Sequence, residues 1–125
     1  METILQDINA VIGVIGSFVC DAEGQVLARL MPDTFDRKLL APPARTIAQT
    51  IAGLKLAQRR KVGDMDLLYD QGRLIIKSLD ENYLCILCVQ RINVPLLNLT
   101  ADVAAKKLDK MIKELQSIAR FRSVH

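Results

Sequence analysis

Tyr83-Leu84-Cys85-Ile86-Leu87-Cys88-Val89 is an unbroken apolar run, closed by Asp80, Glu81 and Asn82 before it and by Gln90 and Arg91 after it. A helix this short would be marginal, and turn-type and charged residues flank both ends, so the run reads as a strand. Strand side chains alternate between faces, which sends Tyr83, Cys85, Leu87 and Val89 one way and Leu84, Ile86 and Cys88 the other. Both sets are apolar. An antiparallel strand of this kind belongs at the centre of a sheet that is covered on both sides.

The segments around it supply the sheet. From Asp64 to Asp70 the chain alternates Met65, Leu67 and Tyr69 against Asp64, Asp66, Leu68 and Asp70. Gln71 and Gly72 then turn it, Arg73 to Leu79 returns, and Asp80-Glu81-Asn82 leads into the central run, which predicts a three-strand meander. Upstream, Val14 to Cys20 is apolar, Asp21-Ala22-Glu23-Gly24 suits a type I turn, and Gln25 to Leu30 completes a hairpin. That last strand sets Val26, Ala28 and Leu30 against Gln25, Leu27 and Arg29. Neighbour rules place Arg73 to Leu79 on one flank of the central strand and Val14 to Cys20 on the other. Gln25 to Leu30 and Asp64 to Asp70 become the two edges.

Three helices are predicted to cover this sheet. Residues 2–12 carry Ile4, Leu5, Ile8, Val11 and Ile12 at helical spacing, with Thr3 as a cap and Gly13 as terminator. A second helix runs from Pro43 to Arg60, with Ile47, Ile51 and Leu54 in one stripe and Ala44, Ala48 and Ala52 in a stripe of small residues. Arg59, Arg60 and Lys61 suit the negative end of its dipole, and Gly63 follows. A long last helix, entered after Asn93 and Pro95, repeats Leu97, Ala101, Ala104, Leu108, Met111, Leu115 and Ile118, with Lys106, Lys107, Lys110, Lys113 and Glu114 outside. The expected class is α+β: one domain over residues 1–125, with a five-stranded antiparallel sheet. The 43–60 helix would lie on one face and the two terminal helices on the other.

Composition narrows the function. The chain has 125 residues, half of them apolar, and a net charge of +3 from 17 basic and 14 acidic residues. That is a mixed surface, not the basic excess of a dedicated nucleic-acid binder. No charged leader with an apolar core and no run of membrane-spanning length is present, so a cytoplasmic protein without stable membrane insertion is expected.

No catalytic set emerges. Cys85 and Cys88 form C-x-x-C, but on one strand they point to opposite faces and cannot share a metal or a disulfide. With Cys20 they read as buried structural thiols. His125, at the end of the chain, is the one histidine. Ser17, Ser78 and the thiols therefore lack an imidazole base. Gly13 to Ser17 falls short of a phosphate loop, which needs longer glycine spacing and a Lys before the Ser or Thr. Asp64, Asp66 and Asp70 read as edge charges, because no acidic ligand at calcium-loop spacing follows them. A non-enzymatic protein without metal or cofactor is expected.

The run Gly13-Val14-Ile15-Gly16-Ser17-Phe18-Val19-Cys20-Asp21-Ala22-Glu23-Gly24-Gln25-Val26-Leu27-Ala28, led in by Ile4 and Ile8, resembles the start of the roadblock domain. This is the dynein light-chain roadblock type, a profilin-like sandwich. The resemblance continues through Gly72 to Ile76 and Tyr83 to Leu87 into the last helix. It is carried by turn glycines and strand positions, so it speaks to fold more than to chemistry. It implies a homodimer, or a heterodimer with a paralogue, that adapts or regulates a small Ras-like GTPase. Dimer contacts would come from Ile47, Ile51 and Leu54 of the second helix and from Met65, Leu67 and Tyr69 of the meander edge. Thr46, Gln49, Thr50, Lys55 and Arg59, polar positions off the Ile47 stripe, are the candidate GTPase contacts. Two other readings compete: a ligand-sensing profilin-like domain, whose sheet pocket would offer only Tyr83 and two thiols, and a surface-docking protein using the basic last helix.

Overall fold

The computed structural model describes residues 1–32, 64–69 and 72–124. The elements are α1 (Glu2–Asn9), β1 (Val14–Asp21), β2 (Val26–Leu30), β3 (Met65–Tyr69), β4 (Gly72–Ser78), β5 (Asn82–Cys88) and α2 (Val94–Val124). The strands form one sheet in the order β2-β1-β5-β4-β3, with every neighbouring pair antiparallel. The apolar run supplies the central strand, which spans Asn82–Cys88 and leaves Val89 beyond its end and 44% exposed, and the predicted flanks and edges are the observed ones. The segment 43–60, with its Ile47, Ile51 and Leu54 stripe, lies outside the described residues.

The alternation expected of β5 divides the core. Leu84, Ile86 and Cys88 join Val19, Ile75 and Leu79 in a cluster under α1 and α2, with Leu5, Ile8, Leu97, Ala101 and Leu108 above them. Tyr83 and Cys85 face the other way, with Phe18, Cys20, Leu74 and Ile76. The C-x-x-C thiols therefore stand on opposite faces. All three cysteines are buried.

Bulges alter the face assignments of the hairpin. Val19 pairs with Ala28 but Cys20 pairs with Val26, so Leu27 is an extra residue. The extra residue turns the strand over locally. Val26 packs with the Cys20 cluster while Ala28 and Leu30 pack under the helices, where simple alternation predicted a shared face. The turn before β2 is as expected. Asp21 Oδ1 accepts hydrogen bonds from the backbone N–H of Glu23 and Gln25, each at 2.9 Å, and Gly24 takes φ of 86°.

The helices depart from their predicted limits. Regular structure in α1 stops at Asn9, with Ala10 as C-cap, and Ile12 is 92% exposed although its spacing put it on the apolar stripe. Gly13, with φ of 98°, serves the turn into β1 and does not end the helix. Thr3 is not the cap; the helix starts after Met1 with no side-chain cap. In α2, Asn93 Oδ1 accepts from the Leu96 N–H at 3.1 Å, and Pro95 sits in the first turn, where no intrahelical donor is lost. Leu97, Ala101, Ala104 and Leu108 face the core as predicted, and Ile112 joins them. Met111 is half-buried, whereas Leu115 and Ile118 are half exposed. Periodicity names a helix face but not how far the neighbouring element reaches. Met1 and Glu2, the start of α1, lie beside Met111 and Leu115, so beyond them the stripe runs on without α1.

Candidate interaction surface

β3 pairs with β4 from Met65↔Ile76 to Tyr69↔Gly72 and stands at the end of the sheet. An edge strand turns one row of backbone N–H and C=O groups outward, which a second strand can satisfy. Met65 and Leu67 are half-buried against the Phe18 and Tyr83 cluster. Their packing positions the strand, while Leu68, on the opposite face, is 64% exposed and is the open apolar side chain here. The alternating pattern put Leu68 among the polar positions, so nothing in that pattern singled it out.

Charges border this edge. Asp66 Oδ1 accepts from Arg73 Nε at 2.7 Å, and the Arg73 guanidinium also donates to the Gln90 carbonyl at 3.2 Å. The bond to Asp66 raises the Arg73 pKa above its ordinary value. Asp64 accepts from Lys77 Nζ at 3.2 Å and from the Ser78 N–H at 3.1 Å. Asp64 and Asp66 are therefore spent on ion pairs, and among the described residues no cluster of three or more His, Cys, Asp or Glu could hold a metal.

The serines and thiols are likewise engaged in structure. Ser17, fully buried, donates to Asn9 Oδ1 at 2.8 Å, and Asn9 Nδ2 donates to the Leu30 carbonyl at 2.9 Å, which fastens α1 to the hairpin. Cys88 Sγ donates to the Arg73 carbonyl at 3.4 Å, and burial pushes its thiol pKa up. The Cys85 thiol is held well above its usual range by its hydrogen bond with Cys20 and by burial.

A second surface lies on the outward side of α2. Leu96, Leu99 and Val103 are 50%, 71% and 53% exposed. Beside them, Ile4 and Asp7 of α1 meet Thr100 and Lys107 in a shallow groove of about 300 Å³. Further along, Lys113 pairs with Asp109 at 3.2 Å, which raises the lysine pKa, and with Asp80 at 3.6 Å.

Solved structures share this arrangement of sheet and helices. The chain is similar to the gliding protein MglB from Thermus thermophilus, with a TM-score of 0.79 and 14% identity over 90% of this chain and 88% of that one. It is similar to an MglB with a tetrameric arrangement, at 0.77 and 17% identity over 90% and 88%. It is also similar to a Roadblock/LC7 domain from Streptomyces avermitilis, at 0.72 and 13% identity over 90% and 94%. The chain has a roadblock-type fold. No family model and no curated protein matches the sequence.

Within this roadblock-type fold, Met65, Leu67 and Tyr69 fall on the edge strand as the sequence reading required. Thr46, Gln49, Thr50, Lys55 and Arg59, with Ile47, Ile51 and Leu54, lie outside the described residues. Two features escaped the sequence reading: the ion-paired Lys77 and the exposed Leu96, Leu99 and Val103. The second had a visible signal, since 96, 99 and 103 repeat at helical spacing beside the core stripe. No described helix is long and apolar enough to cross a membrane.

Proposed function

We propose that the chain is a non-catalytic, dimeric adaptor or regulator of a small Ras-like GTPase. The observation that carries this reading is the β3 edge, which has no strand partner on its outer side among the described residues, in a sheet of roadblock-type topology. Two copies joined antiparallel along β3 would satisfy that edge and extend the sheet across the two-fold axis. The reported tetrameric arrangement of one structurally similar MglB supports assembly through repeated copies. In the dimer the two 43–60 segments would lie side by side, and Thr46, Gln49, Thr50, Lys55 and Arg59 would form one composite surface for the GTPase. Regulation would act by positioning the switch segments of the partner.

The test is a binding titration with the cognate GTPase in both nucleotide states, comparing wild type with a Lys55→Glu, Arg59→Glu double variant that remains dimeric. Nucleotide-dependent binding that weakens in the variant supports the assignment. Unchanged affinity in that variant, with loss caused instead by charge reversal at Lys106, Lys110 and Lys113, would move the site to α2.

A further inference from the structure

We propose that the outward face of α2, built on Leu96, Leu99 and Val103 and extended by Lys106, Lys107 and Lys110, docks an acidic amphipathic helix of a partner protein. The three apolar residues recur at i, i+3 and i+7 and are 50%, 71% and 53% exposed, so they form a continuous stripe that the fold itself does not use. The same spacing carries on through Lys106 and Lys110. Those two and Lys107 are exposed and take no part in the described ion pairs, which use Arg73, Lys77 and Lys113 instead. An apolar stripe that runs into unspent cations matches a helix with apolar anchors on one face and carboxylates beside them. The groove against α1, where Ile4 and Thr100 lie next to Lys107, gives such a helix a seat.

Charge also decides against a second copy as the occupant. A two-fold pairing of antiparallel α2 helices about Leu99 would carry the lysines of each copy past Leu96 of the other, towards exposed Arg91. Asp102 and Asp109, the acidic residues of this stretch of α2, are engaged by Lys77 and Lys113. Asp7 and Lys107 both line the groove, and Lys106 and Lys110 add two further cations along α2 outside it. The proposal does not depend on the GTPase assignment, which concerns residues 43–60.

Amide chemical shifts of the 125-residue chain would be followed during titration with a synthetic helical peptide carrying Leu at i, i+3 and i+7 flanked by Glu. A scrambled peptide of the same composition and phosphatidylserine vesicles serve as comparators. Saturable shifts confined to the stretch from Leu96 to Lys110, absent with the scrambled peptide, are expected. Leu99→Glu should abolish them, and Lys106→Glu with Lys110→Glu should weaken binding by about tenfold and flatten its salt dependence. These positions are exposed, so unchanged thermal midpoints would show that the variants fold. No shifts on α2 would overturn the proposal. So would vesicle binding without peptide binding, or concentration-dependent shifts of the stripe in the absence of peptide, which would mark it as a contact between copies.

Discussion

Lys77 Nζ lies 3.1 Å from Asp102 Oδ1, linking β4 to α2 through an ammonium group whose side chain is only 8% exposed. The same nitrogen reaches Asp64 Oδ2 beside β3 at 3.2 Å, so one lysine ties the edge strand, its neighbour and the covering helix together. Because both carboxylates are half exposed, Asp102→Asn alone should cost about 1 kcal/mol. Replacing Asp64 and Asp102 together strands a nearly buried charge and should cost more than the sum, about 3 kcal/mol. Lys77→Met keeps the packing of the stem without the charge and should stay within about 1 kcal/mol of wild type. Urea midpoints of the four proteins check the ranking.

The α2 stripe predicts a sharp change in sensitivity along one helix. Leu108 is fully buried under the sheet, and Leu108→Ala should destabilise by about 2–5 kcal/mol. Ile118 lies on the same periodic repeat but is 51% exposed, and Ile118→Gln should change stability by less than about 0.5 kcal/mol. Thermal unfolding followed by circular dichroism separates these cases.

The buried thiols give stability a pH dependence. Burial raises the Cys88 pKa above the usual 9.0, and the hydrogen bond that Cys85 donates to Cys20 together with burial raises that of Cys85. Below the unfolded-state thiol pKa, both states hold these protons and the stabilisation is fully present. As pH rises beyond it the unfolded chain loses protons that the folded chain retains, so stability falls until the folded thiols ionise. Cys20, lowered by its bond to Cys85, offsets part of this loss. Urea midpoints should therefore decline as pH rises above about 9, with a shallower decline in Cys88→Ala. A polar thiol reagent should label all three cysteines slowly in the native state; rapid labelling would contradict their burial.

The sheet was legible because Tyr83 to Val89 is an unbroken apolar run, while the edge segment from Asp64 sets Asp64 and Asp66 against Met65 and Leu67. That pattern fixed strand order and edges from Tyr83 to Val89 outward. What it could not express is irregular backbone. Ile12 continues the apolar spacing of α1, yet the chain has already turned at Ala10. The extra residue Leu27 moves Val26 to the other face, and no composition signal marks it. Lys77 appeared as an ordinary strand charge, since its two carboxylates come from positions 64 and 102, distant in sequence. For the candidate interaction surface, the edge Met65 to Tyr69 was readable from alternation and from the roadblock resemblance. Leu68 was hidden by its place in the polar register.

Self-association through the β3 edge is the central claim, and sedimentation velocity across the micromolar range, on wild type and on Leu68→Asp, tests it most directly. Leu68 is 64% exposed, so the substitution leaves the core intact while adding a carboxylate to a strand segment that already carries Asp64 and Asp66. Two such strands brought together across a two-fold axis would repel. A wild-type dimer at micromolar concentration whose dissociation constant rises by about tenfold or more in Leu68→Asp is the predicted result. A wild-type monomer throughout that range, or a dimer indifferent to the substitution, would contradict it.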